Sequence, residues 1–191
     1  MTPLIRRLGL ALLLGCVVPW AGAGQINAAK QINAIVSQYS AAEFASAVAQ
    51  FKQLNPQWRV SARTPQQLSN LGDPELRQWL DESQLLLGVG LFGAEAERLT
   101  PLLAQSSPAE LLLMHSEHGL VQLSRSLGRR LFSSREQAEQ LGRAKPEGEL
   151  AVWVAQQQAN YPQQAPWIAA RSYWQAGGID NISGLLGWLA A

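Results

Sequence analysis

The sequence predicts an α/β protein: an open, doubly wound parallel sheet of flavodoxin-like or Rossmann-like kind, about four strands wide, with a C-terminal α-helical cap. Three observations carry this expectation. Four short apolar or alternating runs recur between segments with helical periodicity, which is the rhythm of βαβ units. Two of those runs are apolar almost throughout, as strands buried on both faces must be. After residue 120 the strand signals give way to helical ones.

The elements follow in order. "INAIVS" at 32–37 alternates apolar and polar residues, a first strand. Ser40 precedes a helix whose Phe44, Ala47, Val48, Phe51 and Leu54 share one face, and Glu43 stands three residues on from Ser40, where a capping box places its acid. Asn55-Pro56 ends that helix. Trp58, Val60 and Ala62 then alternate as a second strand, and Thr64-Pro65 opens a further helix with a cap and a first-turn proline. Asp73-Pro74 repeats that start ahead of Leu76, Trp79 and Leu80. "QLLLGVGLF" at 84–92 is a buried strand, Gly93 opens a helix around Ala94 to Leu103, and "ELLLM" at 110–114 is a fourth strand. "GRAKPEGE" at 142–149 has the composition of an exposed linker, and two or three helices follow it. The expected organisation is a leader over 1–23, an α/β domain over 24–141, and a helical extension over 142–191 packed on it.

Residues 1–23 have the layout of a secretory signal: Arg6 and Arg7, an apolar run from Leu8 to Val18, Pro19, and Ala21-Gly22-Ala23 as the cleavage site. The expected compartment is the periplasm. "LLGC" ending at Cys16 has the alternative form of a lipoprotein processing site, and only lipidation there would tie the protein to a membrane. Cys16 is the single cysteine, so cleavage after Ala23 removes every thiol. Fifteen basic and 14 acidic side chains nearly cancel, and Arg6 and Arg7 fall in the leader. Such a balance neutralises no phosphate backbone, which excludes nucleic acid as an expected partner.

Ligands of open α/β sheets bind beyond the carboxyl ends of the strands. "SQYS" follows the first strand, "GLFG" the third and "HSEHG" the fourth, which makes Ser37, Tyr39 and Phe92 candidate ligand contacts. His115, Glu117 and His118 are the candidate metal ligands, for a divalent ion such as cobalt or zinc. The plainer reading, and the one the sequence favours, is a polar, Gly-terminated turn whose histidines face water. The glycines of "GVGLFG" lie inside and at the end of a strand rather than after it, so they imply close packing and a turn and not a dinucleotide loop. No P-loop and no G-x-S-x-G elbow is present. Trp153, Trp167, Trp174 and Trp188 crowd the C-terminal part. They serve either as buried helix faces or, Trp174 foremost, as flat apolar surfaces for a planar macrocycle.

The segment "YWQAGGIDNISGLLGWLA" resembles one in the large subunit of cobaltochelatase and magnesium chelatase, the CobN type: a helix, a Gly-Gly, an acidic-Asn pair, and a helix of form "xxLLxxL". The order of elements upstream is similar to the N-terminal α/β region of those subunits. The resemblance implies a short exported relative of that region, ending where the larger subunit continues into its catalytic portion. It therefore implies no catalytic residue, and a non-enzymatic role in binding or handling a tetrapyrrole or other metal chelate. A chelatase-like or uptake-system protein is the implied partner. A metal-dependent enzyme centred on His115, Glu117 and His118, and a pure protein-interaction module, are the alternatives.

Overall fold

A computed structural model describes residues 30–191. The leader and Cys16 lie outside the described residues. Lys30–Ile35 (β1), Trp58–Arg63 (β2), Leu85–Val89 (β3) and Glu110–Met114 (β4) are parallel neighbours in the order β2-β1-β3-β4. Ala41–Leu54 (α1) connects β1 to β2, Pro65–Ser69 (α2) and Asp73–Asp81 (α3) connect β2 to β3, and Gly93–Gln105 (α4) connects β3 to β4. Beyond them come a single turn, His118–Val121 (α5), a hairpin, and the helices Arg135–Arg143 (α6), Leu150–Asn160 (α7), Ala165–Ala176 (α8) and Gly178–Ala190 (α9). None of the described helices is long and apolar enough to cross a membrane.

Because successive strand residues point to opposite faces, the parallel strands divide their side chains between two cores. Ile32, Ala34, Leu85, Leu87, Leu112 and Met114 pack with Phe44 and Phe51 of α1, Trp167 and Ile168 of α8, and Leu185 and Leu186 of α9. Ile35, Leu86, Leu111 and Leu113 pack on the other side with Leu76 and Leu80 of α3 and Leu99 and Leu103 of α4. The C-terminal helices thus bury their apolar faces in the same core as α1. One polar residue sits fully buried in β1: Asn33 donates through its amide to the carbonyl of Trp79, so its burial leaves no lost hydrogen bond.

Gly88 lies where β3 meets β4, and a Cβ built on it would stand 2.5 Å from Leu113 Cδ2. The absent side chain leaves the space that the Leu113 side chain fills. The glycine-rich stretch is therefore packing and turn, in agreement with its position inside the strand.

Three sequence expectations are corrected. The sheet is six strands wide among the described residues, not about four, and it is mixed: Arg125–Ser126 (β5) and Arg129–Arg130 (β6) add an antiparallel hairpin beyond β4. Its turn places Leu127 and Gly128 at φ of 49° and 73°, and the Glu110 carboxylate holds it by accepting from Leu127 N–H at 2.6 Å. Ser40 and Glu43 form no capping box. Ser40 makes no side-chain cap, and Glu43 instead accepts from the Gly178 N–H at 2.9 Å, at the start of α9. The stretch 142–149 is not all linker, since Gly142 and Arg143 complete α6.

Candidate functional site

A cleft of about 450 Å3 opens at the carboxyl ends of β1, β3 and β4. Its floor comes from the strand ends, with Ser37 after β1, Val89 and Gly90 at β3, and His115 and Ser116 after β4. Trp167, Arg171 and Trp174 of α8 form one wall. They stand at i, i+4 and i+7, one face of the helix. Ser40 at the start of α1, Phe92 before α4, and Val121 and His118 of α5 beside Gly142 complete the lining.

Elements around the cleft are tied to the sheet by specific bonds. The indole N–H of Trp167 donates to the Leu113 carbonyl at 2.8 Å, and its ring meets Phe132 edge-on at 5.3 Å. Ser116 Oγ accepts from Leu91 N–H at 3.1 Å and donates to the Met114 carbonyl at 2.9 Å, joining the loops after β3 and β4. Arg171 is only 6% exposed. Its guanidinium donates to the carbonyls of Leu141, Gly142 and Ala144 at 2.7–3.1 Å, closing the C-terminus of α6. It also lies over the rings of Trp167 and Trp153, at 5.5 and 6.0 Å from their centroids. Burial lowers its pKa from the ordinary arginine value.

His115 follows β4 in a left-handed conformation, φ 46°, which costs a non-glycine residue of order a kcal/mol and is commonest where a side chain must be aimed. It lines the cleft, exposed to solvent but partly packed by its neighbours. That packing, and second the positive charge of Arg171, lower its pKa from the usual 6.5. Around neutral pH it is therefore the uncharged imidazole, with a ring nitrogen free to accept or to coordinate.

Of the residues singled out in the sequence, the structure brings Ser37, Phe92, Trp174, His115 and His118 to this one cleft. Tyr39 is fully exposed and lines no part of it. Glu117 is turned to α4, where its carboxylate accepts from Gly93 N–H at 3.1 Å. His118 Nδ1 lies 3.9 Å from Glu139, whose other oxygen is held by Arg143 at 2.6 Å. Among the described residues no three His, Asp or Glu side chains converge as a metal site would require. Sequence reasoning missed Arg171, although its place between Trp167 and Trp174 on one helix face was the signal: a charged residue in an apolar stripe.

No family model matches the chain, and none of the curated proteins compared with it matches either.

A smaller cavity of about 140 Å3 lies between α2, α3 and α4, lined by Leu68, Leu76 and Leu99. Its cation, Arg98, is consumed by Asp73 at 2.9 Å and by the carbonyls of Leu68 and Leu71. It offers no histidine. The larger cleft is the better candidate on size and on chemistry, since small-molecule sites measure roughly 300–1,000 Å3 and combine apolar walls with a few converging polar groups.

Proposed function

We propose that this protein is an exported, non-catalytic binding protein related to the N-terminal region of the chelatase large subunit, and that its cleft holds a tetrapyrrole or other metal chelate. In this reading the sheet is an open, doubly wound one of flavodoxin-like order, and the cleft sits at its switch point. The chain leaves β1 toward β2 on one side and continues through β3 and β4 on the other, and crevices at such reversals are where ligands of these sheets bind. The observation that carries the proposal is the composition of that crevice. The indole of Trp174 and the phenyl of Phe92 line the crevice with the neutral imidazole of His115, and the buried indole of Trp167 backs them.

Each group has a part in holding such a cargo. Aromatic faces stack on a flat conjugated ring. A neutral imidazole donates a lone pair to a metal with an open axial position. Phe92 is 57% exposed at the rim, so a ligand larger than the cleft gains apolar contact as it leaves the crevice. Transfer of the cargo to a chelatase-like or uptake-system partner is the second half of the proposal.

The test is an equilibrium titration of the protein with haem, zinc porphyrin, hydroxocobalamin, Co2+ and Zn2+, followed by tryptophan fluorescence. Saturable quenching by a chelate, weakened in Trp174→Ala, is the expected result. Absence of any response to the three chelates overturns the proposal, and retention of a bare ion alone transfers support to a metal site.

A further inference from the structure

We infer that the cleft is built to receive an oxyanion, a carboxylate or phosphate carried by the ligand, with Arg171 as its fixed cation and the linked Ser37–Ser40 pair as its hydroxyl donor. The inference rests on reading the cleft as a ligand site, and it adds the charge of what enters.

The lining supplies the first argument. Ser37, Ser40, two histidines and one arginine line the cleft, with Ser116 buried among them and its hydroxyl already engaged, and no aspartate or glutamate among the described residues does so. Acids are close by but otherwise engaged. Glu117 is bonded to Gly93 N–H and Glu139 to Arg143. A cavity in a chain with nearly equal numbers of acids and bases has thus been left with one sign of charge.

Arg171 supplies the second. It is 6% exposed, yet among the described residues it makes no ion pair; its acceptors are three backbone carbonyls at the end of α6. A helix C-terminus carries roughly half a negative charge, so it offsets only part of a full cation. Two indole faces add a cation–π term, again short of neutralisation. A buried cation compensated in part is costly. An anion arriving in the cleft would remove that cost, and its charge-assisted hydrogen bonds would be the strong kind.

The far wall is consistent. Ser37 Oγ and Ser40 Oγ lie 3.1 Å apart, and Ser40 does not cap α1. One hydroxyl donates to the other, and Ser37 Oγ also accepts from Ser40 N–H at 3.3 Å, so the pair keeps one proton to offer outward, at the positive end of a helix 14 residues long.

Inorganic phosphate and succinate, titrated separately at constant ionic strength and followed by the shifts of the Ser37, Gly90 and Ser116 amides, test this without any chelate. Saturable binding of at least one is expected, and which one identifies a phosphate or a carboxylate as the natural group. Ser40→Asp places the protein's own carboxylate at the wall and should weaken binding tenfold or more, as should Arg171→Gln. If Arg171→Gln does not fold, Ser40→Asp decides. Failure of both anions to saturate, or wild-type affinity in Ser40→Asp, overturns the inference. Anion binding without chelate binding overturns only the proposed cargo, whereas chelate binding indifferent to Ser40→Asp overturns only the oxyanion seat.

Discussion

The Trp167 indole reaches across the core to the Leu113 carbonyl, 54 positions earlier in the chain, at 2.8 Å. The wall of the cleft is thereby fastened to the strand that leads into His115. Trp167→Phe keeps most of the apolar volume and removes the donor. It should cost about 1–3 kcal/mol, read as a lower urea midpoint at unchanged slope, and should loosen the cleft as judged by faster exchange of amides in α8.

Glu43 joins the two ends of the fold by accepting from Gly178 N–H, where Gly177 and Gly178 take φ of 64° and 79° to start α9. A carboxylate at a helix N-terminus is worth about 0.3–1 kcal/mol when exposed. Glu43→Ala should lose that much in chemical denaturation, and 1 M salt should shrink the difference between variant and wild type.

Gly88→Ala should destabilise more. Its new methyl meets Leu113 inside a fully buried strand pair, and overpacking of this kind costs about 1–3 kcal/mol. The companion Leu113→Ala should recover part of that loss in a double-mutant cycle, because it vacates the space the methyl needs.

Leu127 is 84% exposed with φ of 49° at the tip of the β5–β6 hairpin. A left-handed conformation costs a branched L-residue about 1–2 kcal/mol relative to glycine. Leu127→Gly is therefore expected to raise the melting temperature or leave it level, and Leu127→Asn to do likewise. A clear loss of stability in both would contradict the observed turn.

His115 makes stability depend on pH in a defined direction. Its folded pKa lies below the usual 6.5, so the unfolded chain takes up the proton first. The contribution is intact above pH 6.5 and is lost as pH falls through that value toward the folded pKa. His115→Gln should flatten the profile over that interval, in denaturation measured at a series of pH values.

The four parallel strands were legible because each is an apolar or alternating run bounded by Gly, Pro or Ser, and Trp58, Leu85 and Glu110 begin them close to where periodicity places them. The hairpin was not. Arg125–Ser126 and Arg129–Arg130 are too short and too polar to show a period, and they are strands because Glu110 and the edge of β4 hold them. The capping box failed for a related reason: Glu43 answers to a residue 135 positions away, and local spacing carries no trace of that. In the site, strand ends pointed to Ser37, Phe92, His115 and His118 because topology fixes where loops gather. Arg171 escaped notice because its partners are backbone carbonyls, which every sequence has.

The most direct test of the cleft as the ligand site is an amide and indole chemical-shift map recorded during titration with diamagnetic zinc porphyrin. The account predicts that the Trp167 indole N–H, Gly90 and Ser116 move together and saturate, while Leu68, Leu76 and Leu99 around the smaller cavity stay still. Shifts confined to those three leucines, or none at saturating porphyrin, would contradict it.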